Sequence, residues 1–150
     1  MPFIRSLLTS AFLLLSVVRL DAQMIAVPVK NLTAGCGSSH TCALLNNGTA
    51  KCWGAGSYGR LGYGNTNNIG DGPNEMGDNL AAIDLGTGKT AVQLVAGGYH
   101  TCALLNDGNV TCWGWGIFGK LGYGNEDNIG NGANEMGDNL AAIDLGAGKT

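Results

Sequence analysis

The sequence has few charged side chains and no long apolar run beyond its first twenty residues. Charged residues make up 13% of the 150 positions, too few for a solvated disordered chain. The eight lysines and arginines are scattered and the formal net charge is -3, so the chain lacks the basic stripe that binds phosphates. We therefore expect no nucleic-acid partner and no membrane span after the N-terminal segment.

A catalytic constellation is also missing. The only two histidines are His40 and His100, and no serine, cysteine or carboxylate stands at a spacing that indicates a nucleophile or a general base. Each histidine begins a strand-like segment, where an imidazole can hydrogen-bond buried backbone groups. We expect a structural role for both histidines, no enzyme activity and no cofactor.

The first twenty-two residues have the composition of a secretory signal. Arg5 supplies a positive start, residues 6–18 an apolar stretch and Ala22 a small residue for cleavage before Gln23. This pattern predicts a secreted or cell-surface protein. An uncleaved anchor is the alternative, although the apolar stretch is shorter than a bilayer requires.

The most informative feature that is present is a repeat. Residues 40–53, HTCALLNNGTAKCW, return at 100–113 as HTCALLNDGNVTCW. Twenty-six glycines and short β-prone stretches before each copy predict an all-β protein with many tight turns. We place a first repeat at 23–90 and a second at 91–150. One such unit cannot cover its own sheet faces, so the function should lie on an assembled surface.

The cysteines predict one disulfide within each repeat. A three-residue loop at Asn106, Asp107 and Gly108 makes Cys102 face Cys112 at a non-hydrogen-bonded position, where opposed Cα atoms are close enough for a disulfide. The first repeat has the same register for Cys42 and Cys52. The alternative is zinc ligation, but nine residues separate each pair where zinc motifs have two to four. Cys36 has no counterpart and is either free or paired outside this chain.

The last third of each unit, NEMGDNLAAIDLG, predicts a loop followed by a strand at 82–85, with a brief helix at 79–83 as the alternative. These segments are rich in oxygen ligands, at 125–138 and at Asp71, Asn74, Glu75 and Asp78. Their spacing matches no EF-hand loop, so we weigh a calcium site against a plain surface loop.

The sequence also indicates three glycosylation sites and roles for its three tryptophans. Three sequons would carry glycans in a eukaryotic secretory route, at Asn31, Asn47 and Asn109. Trp53 and Trp113 directly follow a cysteine within a strand and should pack between repeats. Trp115 stands where the first repeat has Ala55, which makes it a candidate contact residue for a partner.

Residues 96–125, AGGYHTCALLNDGNVTCWGWGIFGKLGYGN, resemble the repeats of the regulator of chromosome condensation (RCC1) family. That pattern runs AxGxxHTxAL, then DGxVxxWG, then GxLGxG, and both repeats follow it. The resemblance implies two blades of an incomplete RCC1-like β-propeller, each blade a four-stranded antiparallel sheet. Ring closure would then need further repeats or self-association.

The resemblance and the leader together favour a secreted or surface scaffold that binds a protein partner through loops that differ between blades. The alternative is guanine-nucleotide exchange on a small GTPase, the activity of the founding family member. A third possibility is a structural, calcium-loaded wall or matrix component. The cysteine pairs and the leader disfavour exchange activity, because the nuclear founder works where thiols stay reduced.

Overall fold

The computed structural model describes residues 27–35, 37 and 39–147. They form two antiparallel sheets of three strands each. Sheet 1 contains β1 (Val29–Ala34), β2 (His40–Leu45) and β3 (Ala50–Gly54), and sheet 2 contains β4 (Ala91–Ala96), β5 (His100–Leu105) and β6 (Val110–Gly114). The all-β prediction is confirmed. The leader at 1–22, Gln23 and Cys36 lie outside the described residues, and no helix within the described ranges is long and apolar enough to span a bilayer.

The hairpins have the predicted register. The backbone N–H of Leu105 donates to Asn109 O at 2.8 Å and that of Gly108 donates to Leu105 O at 3.0 Å. Gly108 has φ 86°, the left-handed conformation that the loop requires and that glycine adopts at little cost. Cys102 therefore faces Cys112, and the structure joins them in a disulfide with a Cα–Cα distance of 4.1 Å. The disulfide between Cys42 and Cys52 has the same geometry in sheet 1.

Each sheet has three strands where four were expected. The segment predicted as a strand at 82–85 follows a 3₁₀ turn at Gly77–Asn79 and forms no ladder. A single backbone hydrogen bond joins this segment to β3, in which the N–H of Ile83 donates to Ala50 O at 2.8 Å. Ile83 and Leu85 are nevertheless buried, with 5% of each residue exposed. The strand assignment at 82–85 was therefore wrong, although the segment contributes two side chains to the core.

A tyrosine hydroxyl occupies the edge of β3 that a fourth strand would need. The N–H of Cys52 donates to the Tyr63 hydroxyl oxygen at 3.1 Å. That hydroxyl lies 3.0 Å from the carbonyl oxygens of Cys52 and Ala81, one of which accepts its proton. Tyr123 makes the equivalent contacts with Cys112 in sheet 2. Because the backbone groups in mid-strand are already satisfied, the next segment cannot pair there.

The core lies between the sheets, and it shows why neither repeat is sufficient alone. Leu94 in β4 and Leu32 in β1 occupy the same register position, opposite Ala103 and Ala43 respectively. Sheet 1 covers Leu94, which is 2% exposed, whereas Leu32 is 60% exposed because no described sheet covers it. Burial of such apolar faces is the main stabilising contribution, so each sheet depends on a neighbour.

We predict that Tyr63→Phe lowers the free energy of unfolding by about 1 kcal/mol, because the backbone groups of Cys52 lose their partner. Urea unfolding followed by tryptophan fluorescence measures the change. Tyr58→Phe is the matched control, since repeat 2 already has Phe118 at that position. Equal effects of the two substitutions would show that the Tyr63 hydroxyl does not cap the sheet edge.

Candidate functional site

A chain of hydrogen bonds crosses the seam between the sheets and fixes the position of Arg60. The Arg60 carbonyl oxygen accepts from the Thr101 hydroxyl at 2.9 Å and from Trp113 Nε1 at 3.1 Å. His40 Nε2 lies 2.9 Å from the Thr101 hydroxyl oxygen. Since the single hydroxyl proton is donated to Arg60, Nε2 carries the proton of His40. His40 thus has the structural hydrogen-bonding role expected from the sequence.

The tryptophans that follow a cysteine differ in their surroundings. Trp113 is completely buried, as expected for packing between repeats. It lies so close to Gly62 that a Cβ there would be 2.8 Å from Trp113 Nε1. Trp53, at the same place in sheet 1, is half-buried, because no described sheet packs on it. His100, which corresponds to His40, has a buried Nδ1 with no hydrogen-bond partner among the described residues.

Trp115 lies in a cluster of aromatic rings that spans the seam. Its ring stacks on Tyr58 of the first repeat, with centroids 4.9 Å apart and an interplanar angle of 16°. Tyr99 meets Trp115 edge to face at 5.3 Å and Tyr58 at 6.1 Å. These distances are those of favourable aromatic pairs. The predicted contact residue is therefore one member of a group built by both repeats.

Two cations lie on these rings. Arg60 Cζ is 4.6 Å from the Tyr99 ring centroid, and Lys120 Nζ is 4.3 Å from that of Trp115. Both distances are within the range of cation–π attraction. Tyr58, Tyr99, Trp115, Arg60 and Lys120 are hereafter called the aromatic–cationic surface.

The two cations have no carboxylate partner among the described residues. Among all the described residues, the one ion pair joins Lys89 to Asp107, at 3.8 Å. Arg60 Nε instead donates to the Ser57 carbonyl oxygen at 2.9 Å. The aromatic–cationic surface therefore has a net positive charge within a chain whose formal net charge is -3.

Neighbouring titratable groups respond to this charge. Burial, and then the charges of Arg60 and His100, lower the pKa of His40 to about 4. Burial and the charge of Lys120 lower the pKa of His100. Burial and the charge of Arg60 lower the pKa of Lys120 itself. Each shift disfavours the protonated form, through burial first and then through the neighbouring cations.

Parts of the surface are open to solvent. Tyr99 is 43% exposed and Tyr58 is 38% exposed, whereas Arg60 is 3% exposed beneath them. Tyr58 has φ 62° within the 3₁₀ turn Ser57–Gly59, a conformation uncommon for a bulky residue. Phe118, its counterpart, has the same conformation in the turn Ile117–Gly119 and is 85% exposed. The turn thus presents an aromatic ring, which a following repeat can cover as Trp115 covers Tyr58.

The repeats differ in sequence where this surface forms. Tyr99 stands where the first repeat has Ser39, and Trp115 where it has Ala55. Sequence reasoning identified Trp115 alone and missed the other four members. A position-by-position comparison of the two repeats would have found Tyr99 as well, because the residue types of the seam at His40, Thr101 and Trp113 are the same in both copies whereas Tyr99 is not.

The predicted glycosylation sites are accessible. Asn31 is exposed on β1 and Asn47 is exposed on a hairpin loop, while Asn109 is half-buried beside the other loop. The Asn109 side chain donates to Asp107 Oδ2 at 3.0 Å. All three side chains remain candidate attachment sites.

Carboxylates of the acidic loops accept hydrogen bonds from their own loop and from the neighbouring repeat. Glu75 accepts from the N–H groups of Gly70 at 2.7 Å and Gly72 at 2.8 Å. Asp138 accepts from the backbone and the hydroxyl of Thr87, both at 2.7 Å, and so links the two repeats. Within the described ranges, no group of three or more acidic, histidine or cysteine side chains could hold a metal ion.

A family profile, the regulator of chromosome condensation (RCC1) repeat, matches residues 34–60 and 91–120. The chain is 37% identical over 108 residues to the ultraviolet-B receptor UVR8 of Arabidopsis thaliana, a match covering 71% of this chain and 23% of the receptor. It is 38% identical over 92 residues to the human E3 ubiquitin-protein ligase HERC2, covering 61% of this chain and 2% of the ligase. The chain thus spans less than a quarter of either relative.

The fold is similar to that of yeast RCC1 (Prp20) in its crystal structure with Kap60. The TM-score is 0.56 at 18% sequence identity, and the match covers 82% of this chain and 26% of that one. This similarity concerns the fold alone. It agrees with two neighbouring sheets of an RCC1-like propeller, in which the described sheets do not close a ring.

We predict that stability falls as the pH decreases from about 6.5 to about 4. The unfolded chain takes up a proton at His40 below its ordinary pKa of 6.5, whereas the folded state resists protonation until about pH 4. Thermal unfolding across this range measures the loss. His40→Gln keeps a side-chain donor without titrating and should show a weaker pH dependence than the wild type, and His100→Gln measures the separate share of the second histidine, whose pKa is also lowered. If the stability of His40→Gln fell with pH as steeply as that of the wild type, protonation of His40 would not be the cause of the loss.

Proposed function

Because the chain carries two repeats of the regulator of chromosome condensation family, we propose that it is a secreted or cell-surface scaffold that binds a protein partner. A scaffold needs a rigid frame and a surface that varies from repeat to repeat. The seam of His40, Thr101 and the Arg60 carbonyl provides the frame. No catalysis is part of this proposal.

The observation that carries the proposal is the aromatic–cationic surface. Tyrosine, tryptophan and arginine are the residues enriched at the energetic centres of protein interfaces. Here Tyr58, Tyr99 and Trp115 hold one another in place before any partner arrives, which lowers the entropy lost on binding. The complex of yeast RCC1 with Kap60 gives a precedent for protein binding by a relative of this fold.

The proposed extracellular location is supported by the cysteines. The four cysteines that recur in the repeats form two disulfides, and such bonds persist in oxidising compartments. The leader pattern at 1–22 and the accessible sequons at Asn31 and Asn47 agree with that route. The alternative function, nucleotide exchange on a small GTPase, would require the chain to work where thiols are kept reduced.

Expression of the full chain in a eukaryotic secretory culture tests the location. We expect protein in the medium that begins at Gln23, with oxidised repeat cysteines and a mass that falls when N-linked glycans are removed. Asn31→Gln, Asn47→Gln and Asn109→Gln identify the sites by the loss of one glycan each. A chain that keeps its leader and has reduced cysteines in the cytosol would favour the exchange-factor alternative.

Binding is tested by chemical cross-linking at the producing cell's surface, with the wild-type chain and a Tyr99→Ser/Trp115→Ala variant. The Trp115 substitution introduces the residue that the first repeat has at the equivalent position, and Ser39 precedes His40 as Tyr99 precedes His100. The amount of protein cross-linked to the variant should be at least about tenfold lower than the amount cross-linked to the wild type, the loss expected when interface anchors are truncated. Lys89→Gln, away from the aromatic rings, is the control. Equal recovery with the variant would refute this binding surface.

A further inference from the structure

We infer that the aromatic–cationic surface binds an acidic protein segment, whose Asp or Glu carboxylates pair with Lys120 beside the buried charge of Arg60 while its apolar parts lie on the exposed rings. The inference rests on the proposed function, since it specifies the partner of the same surface. It follows from the charge, burial and exposure of the five residues.

The charge of Arg60 is buried without a counterion among the described residues. Arg60 is 3% exposed, and no described carboxylate lies within ion-pair distance of it. Tyr99 and Tyr58 face the guanidinium at 4.6 and 5.9 Å, and Ser57 O accepts one of its protons at 2.9 Å. Ring faces compensate a cation only in part, and a buried charge without a counterion is costly. A partner's carboxylate held beside Lys120 would compensate this buried charge across the ring of Tyr99, without direct contact.

Lys120 adds a second cation beside the first. Its ammonium lies 4.3 Å from the Trp115 centroid and 5.8 Å from that of Tyr99, the ring that also contacts Arg60. Burial, and then the repulsion from Arg60, lower the pKa of Lys120. One anionic group between the two cations would be attracted by both, so a carboxylate is favoured over a neutral acceptor.

The carboxylate of Glu126, six residues beyond Lys120, is already engaged. Glu126 Oε1 accepts from the backbone N–H of Phe118 at 3.3 Å, outside the ring cluster. The half-exposed rings of Tyr58 and Tyr99 leave room above the cations for a segment to lie flat. The surface is therefore a local positive site on a chain of net charge -3, which matches the charge of an acidic segment.

A nucleic acid fits less well. Phosphate backbones are held by a track of several cations, and aromatic stacking platforms for bases are combined with such a track. Only two cations are present here, both close to one ring, Tyr99. We therefore favour a protein segment and treat single-stranded DNA as a competing outcome of the test.

The experiment titrates the full, oxidised chain with a synthetic peptide of alternating glutamate and glycine. Binding is followed by tryptophan fluorescence and by NMR shifts of the Trp115 indole N–H. The glutamine–glycine peptide of the same length tests the role of charge. We expect at least about tenfold tighter binding of the glutamate peptide, with affinity that falls as salt increases.

Variants locate the site. Lys120→Glu should weaken binding of the glutamate peptide by about tenfold or more, because it reverses the charge above Trp115. Trp115→Ala should weaken it as well, whereas Lys89→Gln, which removes a cation away from the rings, should leave it unchanged. Unfolding curves of each variant show that it folds.

Equal binding of the glutamate and glutamine peptides would overturn the acidic preference, as would stronger binding of an oligothymidine strand. Absence of peptide binding would overturn the inference too. The cross-linking comparison decides separately about the proposed function, because a partner lost with Tyr99→Ser/Trp115→Ala but indifferent to Lys120→Glu would keep the scaffold and refute the acidic segment.

Discussion

The carbonyl oxygen of Arg60 is the point on which the arrangement of the two sheets depends. It accepts a hydroxyl and an indole proton from the second repeat, while His40 donates to the same hydroxyl from the first. This network holds the first repeat over Leu94 and Trp113, both buried, and the burial of such apolar side chains stabilises the seam. The side chain of the same residue lies under Tyr99, so the frame and the binding surface are coupled through one backbone position.

Repetition explains both the order and the gaps in the structure. His100 and Leu32 carry the groups that would take part in further seams, but no described sheet meets them. Each seam uses groups of one repeat, here His40 and the Arg60 carbonyl, and a group of the next repeat, here Thr101. Such contacts between neighbours are expected of a family built from repeats. Substitutions of the seam residues would weaken the contact between the repeats. Tyr99 and Trp115, in contrast, differ from their counterparts Ser39 and Ala55, and the two sheets still have the same strand order.

The sequence predicted the local features well. The hairpin register, and with it the facing of Cys42 and Cys52, follows from a loop of three residues and needs no information from elsewhere in the chain. The fourth strand was mispredicted because Tyr63, eleven residues beyond Cys52, competes for the same backbone groups. Most of the aromatic–cationic surface was missed for a similar reason. Tyr58 and Trp115 are far apart in the chain and meet only once the seam has formed.

The tyrosine at the sheet edge has a consequence beyond the fold of one repeat. Exposed strand edges recruit strands from other molecules, which is a common start of aggregation. In β3 and β6 the mid-strand N–H already donates to a phenol oxygen, at Tyr63 and Tyr123, and that phenol lies beside the adjoining carbonyl. An incoming strand would have to displace that ring before it could extend the ladder, so the hydroxyl protects these edges from intermolecular growth.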